Sequence, residues 1–315
     1  MARPDGPKMG HFVLRTSQAG RSTRLRLDLV AKPFLDKSMR LDTPTPVESG
    51  QAERHAASRL VAEALDAVIA RYPAPLRPYI NRSYDRFLFD VSLAEPFRPG
   101  SRRVCDVGGG YSPFTAVCAA LGARATLIDD FLDPWFGHEM EAFLRILDEF
   151  GVEVVRRDAP VQGAGLLPAS VDVVTCFHSM EHWHCSPKAL FHELTRSLVP
   201  GGSFILAGPN AVNLRKRISC LFGRYTWSPM WAWYEEPTFR SHVREPDVRD
   251  LRYIGSDLGL VHVRIIGKNW MGLRNQNPVI AWAARFGDRL LQEMPALCSD
   301  IYLLGAVAST PVDSS

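Results

Sequence analysis

Two histidines and a glutamate stand together at His178-x-x-Glu181-His182, and His184 and Cys185 follow at once. This H-x-x-E-H spacing is one with which some zinc proteases hold their ion. An imidazole, with an unperturbed pKa of about 6.5, is equally suited to taking a proton at neutral pH. The choice depends on what positions the residues. A protease site of that kind needs both histidines on one face of a helix. Here the seven preceding residues, VDVVTCF, form a short apolar run that predicts a buried strand ending at His178. That placement argues against the protease.

A second constellation lies upstream, in VCDVGGGYSP. Asp106, Gly108 and Gly110 give D-x-G-x-G where a strand should turn into a helix. Glycines there, Gly109 included, let the backbone approach a ligand closely, and a helix N-terminus adds oriented N–H groups. In an open α/β sheet, ligands bind at the carboxyl ends of the strands, where strand order reverses. The next apolar run ends in Ile128-Asp129-Asp130, placing an acid about twenty residues beyond the glycines, where it can accept ribose hydroxyls. Of the two acids, Asp129 is favoured, with Asp130 one residue away. A dinucleotide fold wants G-x-G-x-x-G, but Pro113 stands where its third glycine would be. No tyrosine has a lysine four residues later, so the usual short-chain dehydrogenase pair is absent as well. Asp106, two residues before the first motif glycine, suits a cofactor with a cationic amino-acid end.

These residues need a sheet to hold them, and the chain supplies its pattern. After FRPGSR, near residue 100, short apolar strands alternate with amphipathic helices: RRVCDV, PFTAVCAALG, RATLI, GHEMEAFLRILDEFG, VEVVR, VDVVTCF, PKALFHELTRSLV and SFILAG. Such alternation predicts a parallel sheet covered on both faces. Before it, 1–50 reads as a basic arm and Pro-rich linker, with Arg15, Arg21, Arg24 and Arg26 in the arm. Residues 51–100 read as a helical extension, with apolar positions at helical spacing from Leu60 to Ile69. The span 211–245 is irregular and rich in Trp and Tyr. A helix over 247–258 and the strands LVHVRIIG and DIYLLGAVA follow.

Composition bounds the rest. With 46% hydrophobic and 23% charged residues, 315 residues can bury a globular core. The net charge of +3 is too small to argue for nucleic acid. No run approaches the roughly 18 apolar residues of a membrane helix. Six cysteines without a C-x-x-C pair read as reduced, mostly buried thiols, which fits a cytoplasmic protein.

The segment from about Arg103 to Asn210 resembles the class I S-adenosylmethionine-dependent methyltransferases, including the type 11/12-like small-molecule and glycan O-methyltransferases. Asp106-x-Gly108-x-Gly110 resembles their first motif, VDVVTCFHSMEH their fourth-strand motif, and LVPGGSFILAGPN the motif before and through the fifth strand. The resemblance implies an α/β, Rossmann-like, doubly wound seven-stranded sheet across 101–315. An N-terminal helical extension would precede it, and an aromatic-rich insertion would follow the fifth strand. It implies S-adenosylmethionine as cofactor and S-adenosylhomocysteine as product. Asp129 would hold the ribose, and Asp158 with Ala159, in RRDA, would lie near the adenine amine. The strand tip at His178 would face the transferred methyl. His178 and His182 are then the candidate bases, with Glu181 as orienting partner. Some ubiquinone-pathway relatives carry Glu-x-x-Glu-His here and hold a divalent ion. His178 replaces their first glutamate, which weakens the case for magnesium, so no metal is expected.

The acceptor should meet residues from outside the nucleotide-binding half. Asn210 and Asn213 would sit at the fifth-strand tip. Trp231 and Tyr234, beside Arg240, His242 and Arg244, could stack on a ring and hold an anion. His242 is a further candidate base, whereas Lys216 and Arg217 read as surface charges. A packed lid or a homodimer contact is the other reading of the aromatic segment. The expected activity is O-methylation of a small molecule or glycan. A nicotinamide-dependent (NAD(P)) oxidoreductase and a non-catalytic cofactor-binding module stay open as alternatives. A nucleic-acid methylase is disfavoured, because no Asn/Asp-Pro-Pro-aromatic motif follows the fourth strand.

Overall fold

The computed structural model describes residues 46–96, 101–132, 134–224, 228–270, 288 and 291–309. The basic arm, Tyr225 and Trp227 lie outside the described residues. Three helices come first: α1 (Pro46–Ile69), α2 (Arg77–Arg82) and α3 (Tyr84–Ala94). β1 (Arg103–Val107), α4 (Phe114–Ala120), β2 (Arg124–Asp129), α5 (Met140–Glu149), β3 (Glu153–Arg156) and α6 (Ala159–Gln162) follow. Then come β4 (Val171–Phe177), α7 (Lys188–Ser197) and β5 (Leu198–Pro209). The chain continues through α8 (Leu214–Leu221), α9 (Met230–Tyr234), α10 (Val248–Asp257), β6 (Val261–Lys268) and β7 (Asp300–Ala306). Among the described residues, no helix is long and apolar enough to cross a membrane.

The seven strands form one sheet in the order β3-β2-β1-β4-β5-β7-β6. β1 to β5 pair in parallel, and β7 inserts antiparallel between β5 and β6. The chain winds outward from β1 to β3, then returns to start β4 on the other side of β1. That reversal opens a crevice at the tips of β1 and β4.

Residues along each central strand alternate between two cores. Val173 and Phe177 of β4 and Ile205 and Ala207 of β5 face one core, together with Leu65 and Val68 of α1 and Phe87 and Val91 of α3. Val174 and Cys176 of β4 and Phe204 and Leu206 of β5 face the other, together with Leu190 and Leu194 of α7 and Leu251 of α10. Strands buried on both faces read as continuous apolar runs, which is why they stand out in the sequence. The first helices therefore cover a face of the sheet, and α1 already starts at Pro46, inside the span expected to be linker.

Three other local departures have plain causes. The strand expected from Ser203 starts at Leu198, because Leu198 pairs with Val171, and Gly201 and Gly202 exchange backbone hydrogen bonds with Val307. The span expected to be irregular after β5 contains α8, capped by the Asn213 side chain accepting from Lys216 N at 3.0 Å. Lys216 is buried and paired with Glu245, rather than a surface charge.

The helical layer is fastened to the sheet by a buried polar knot. Tyr302 Oη donates to Asp90 Oδ1 at 2.9 Å and accepts from Trp270 Nε1 at 2.8 Å. Tyr302→Phe leaves the indole N–H unpaired and Asp90 one donor short. Stability should fall by about 1–3 kcal/mol, read from the urea unfolding midpoint. An unchanged midpoint would show that the knot contributes nothing to stability.

Candidate functional site

A cavity of about 400 Å³ opens at the crevice between the β1 and β4 tips. That volume lies within the range of small-molecule sites, roughly 300–1,000 Å³. One wall is the glycine loop. Gly108 and Gly110 take positive φ values of 73° and 54°, which residues with a Cβ rarely adopt. A Cβ on Gly108 would lie 2.6 Å from Ser179 Cβ, and one on Gly109 would lie 2.3 Å from Asp106 Oδ2. These two glycines let the β1 tip close against the β4 tip and over Asp106, while all three line the cavity.

Asp106 itself does not line the cavity. It is buried, and Thr175 Oγ1 on β4 donates to its Oδ1 at 2.6 Å. Burial pushes its carboxyl up to about 7, Thr175 pulls it down, and the Asp90 and Asp129 charges push it up. Asp106, expected at a cationic cofactor end, is thus held by Thr175 behind the cavity wall.

At the β2 tip, Asp129 accepts from Gly110 N at 3.0 Å and from Phe131 N at 2.8 Å. Asp130 Oδ1 accepts from Leu132 N at 2.9 Å. Both acids line the cavity, as do Asp158 and Ala159 at the start of α6. Asp129 faces the glycine loop that it bonds, so the same carboxylate ties the loop in place and edges the space beside it.

The β4 tip forms the opposite wall. His178 lines the cavity in a left-handed conformation, with φ of 52°, and its N–H donates to Ala207 O at 2.9 Å. Its Nδ1 lies 3.7 Å from Glu181 Oε1 and 4.0 Å from Asp300 Oδ1. Non-glycine residues held at positive φ concentrate where a side chain must be aimed. A short 3₁₀ turn, Met180–His182, follows. Glu181 is 1% exposed and lies behind the wall rather than on it. Burial pushes its carboxyl up to about 8, with Asp300 adding and Arg86 opposing. Its Oε2 is buried and has no hydrogen-bond partner.

His182 lines the cavity mouth. Its Nδ1 meets Arg240 O at 2.9 Å, and its ring packs edge-on against His242 with centroids 4.9 Å apart. His242 Nδ1 meets Glu245 Oε1 at 2.6 Å. Burial, with the His182 and Lys216 charges adding, lowers its imidazole to about 4.

Four residues expected at the acceptor lie off the cavity wall. Asn210 is fully buried, and its amide donates to Ala296 O at 3.1 Å and Cys298 O at 2.9 Å, so it fastens the β5 tip to the segment before β7. Trp231 and Tyr234 sit on α9, 57% and 77% exposed. His242 is the fourth, held behind His182. In their place the cavity has Arg86 and Asp90, which α3 contributes. Arg86 Nε, buried and without a hydrogen-bond partner, lies 3.9 Å from Asp90 Oδ2. An i, i+4 Arg–Asp pair is as common on a solvated helix face, so nothing in the sequence signals it.

Comparison with known proteins identifies the family. A family model described as a methyltransferase domain matches residues 72–264, more than half the chain. No curated protein matches it. Among solved structures, one similar to it is a SAM-dependent methyltransferase from Archaeoglobus fulgidus. Identity is 20%, coverage 77% of this chain and 94% of that one, and the TM-score 0.44. Another is a methyltransferase from Thermotoga maritima, titled a possible histamine N-methyltransferase: 13% identity, coverage 77% and 99%, TM-score 0.47. A third is phosphoethanolamine N-methyltransferase 2 from Haemonchus contortus, in complex with S-adenosyl-L-methionine: 15% identity, coverage 71% and 53%, TM-score 0.47. The span matched by the family model runs from the turn after α1 into β6 and encloses every wall of the cavity, so the chain belongs to the methyltransferase-domain family and is an S-adenosylmethionine-dependent methyltransferase.

Proposed function

We propose that this methyltransferase acts on a hydroxyl oxygen of a small molecule or glycan, with His178 as the general base. The observation that carries the reading is His178 itself: an imidazole on the cavity wall at the β4 tip, with the carboxylates of Glu181 and Asp300 beside its Nδ1. A carboxylate beside Nδ1 stabilises the imidazolium that forms when the other nitrogen takes a proton. When bound, S-adenosylmethionine supplies an electrophilic methyl group. The protein's task is to hold the acceptor oxygen in line and remove its proton.

The cavity walls fit that cofactor. Asp129 would accept from the ribose hydroxyls, with Asp130 at its side, and Asp158 and Ala159 would edge the base. The glycine loop would carry the backbone up to the sulfur-bearing chain. With Asp106 turned toward Thr175, Arg86 and Asp90 take over at the amino-acid end. One offers a cation to a carboxylate, the other an anion to an ammonium. The α3 helix, in the 51–100 extension, thus becomes part of the site.

Calorimetric titration of S-adenosylhomocysteine should show binding to the wild type. Asp129→Ala should weaken it roughly ten- to a hundredfold, about 1.5–3 kcal/mol for hydrogen bonds to a charged group. No binding to the wild type would remove the assigned cofactor site.

His178→Ala should lower the methylation rate of a hydroxyl acceptor by about 10²–10⁴, the usual worth of a positioned base. Binding of S-adenosylhomocysteine to the same variant separates lost chemistry from a damaged cavity. Full turnover by the variant would end the general-base reading and leave positioning alone.

A further inference from the structure

We infer that α8 and α9 form a surface that docks the protein on an anionic lipid bilayer. Leu214, Ile218, Leu221 and Phe222 recur at the spacing of one helix face. All four are exposed, Leu221 at 84% and Phe222 at 77%. On α9 the small residue is inside and the large ones are outside. Ala232 is buried, while Met230, Trp231, Trp233 and Tyr234 stand in solvent. Large apolar side chains gathered uncovered on a protein surface mark an interaction site.

The other face of α8 is already engaged with the protein. Asn213 caps the helix and is buried, as is Lys216, which pairs with Glu245. Arg217 Nη2 donates to Ala296 O at 3.2 Å. The helix is therefore seated by its polar side, and its apolar side is left for a partner outside the chain.

Charge says which partner. Residues 211–234 contain four basic residues and no acid, and Glu235 and Glu236 come only after α9. Lys216 is spent on Glu245, which leaves Arg215, Arg217 and Arg224 exposed. Arginines beside exposed Trp, Tyr, Leu and Phe are the composition of segments that lie in a headgroup layer, rings at the interface and cations on acidic lipids. A second copy of this chain fits less well. A two-fold contact sets the same patch against itself and so opposes arginine to arginine. At eight and five residues, α8 and α9 are too short to span a bilayer and lie on it.

The patch is close to the site. Arg240, six residues beyond Tyr234, lines the cavity, and its carbonyl meets His182 Nδ1. Six residues reach at most about 20 Å. A docked molecule thus holds its cavity within that distance of the headgroups, where an acceptor carrying its own lipid chain is within reach. That acceptor class rests on the methyl-transfer reading. Docking does not, because it is read without turnover.

The test is sedimentation of the full-length protein with vesicles of phosphatidylcholine mixed with phosphatidylglycerol, and with vesicles of phosphatidylcholine alone. The mixed vesicles should carry the protein down and the neutral ones should carry much less. Raising the salt should release it, since headgroup attraction is screened. The double variant Phe222→Asp, Trp233→Asp should weaken binding at least about tenfold, through lost apolar burial. Arg215→Glu with Arg224→Glu should weaken it at least about fivefold. S-adenosylhomocysteine affinity of each variant shows that it has folded, and the salt series decides the same point on the wild type without any substitution. No binding of the wild type to mixed vesicles overturns the inference. A dimer that Phe222→Asp, Trp233→Asp dissolves would then assign the surface to a second copy. Equal binding to both kinds of vesicle, or binding that both double variants keep, overturns it as well.

Discussion

The site depends on a single cross-strand hydrogen bond, Thr175 Oγ1 to Asp106 Oδ1, at the point where the sheet reverses its winding. It links side chains of β1 and β4 near their tips, across the parallel pair at which the strand order reverses. A buried carboxylate is an expensive fastener, and burial has lifted this one to about 7. It is accommodated because nothing else competes for its space. Gly109 has no Cβ to strike Asp106, and Gly108 has none to strike Ser179. The glycines thus serve packing between two strand tips first. The close approach to a ligand follows, because the loop that results has bare backbone on its cavity side.

A second constraint comes from outside the sheet's own sequence. Tyr302, on β7, sits under α3 and is packed by Phe89, with ring centroids 5.1 Å apart. The hydroxyl of Tyr302 holds Asp90 from below, and Lys268 lies 4.4 Å over the Phe89 ring. These contacts fix α3 with Arg86 and Asp90 turned to the cavity. The charged part of the cavity wall is therefore set by β7 acting on the third helix. That coupling explains why the extension shares a core with the sheet.

How much of this was legible follows from the range of the interactions. The strands and helices of the sheet were readable because burial on both faces writes itself into each strand as a local run, as in VDVVTCF. Asp129 was readable because one turn of winding fixes its distance from Gly110. Arg86 and Asp90 were not, because nothing within α3 says that this face meets a cavity and not solvent. Asn210 misled in the opposite sense: an asparagine at a strand tip looks like a substrate contact, yet its partners, Ala296 and Cys298, lie far along the chain. Lys216 misled in the same way, because its partner Glu245 is on another segment. The pairing of His182 with His242 is likewise a purely tertiary event, and the H-x-x-E-H spacing gives no hint of it.

Glu181 and His178 bind one another to a common constraint at the β4 tip. Glu181 Oε1 is 3.7 Å from His178 Nδ1, and Asp300 Oδ1 is 4.0 Å from the same nitrogen. Burial pushes the Glu181 carboxyl toward its neutral form, with Asp300 adding to the push. A positive charge on the neighbouring imidazole favours the carboxylate, and the carboxylate in turn favours the imidazolium. Proton uptake by His178 and ionisation of Glu181 therefore favour each other. An exposed acid would couple to the imidazole more weakly, since water would screen the interaction. A glutamate enclosed at the strand tip is the arrangement that makes the coupling strong enough to matter to a base in the wall.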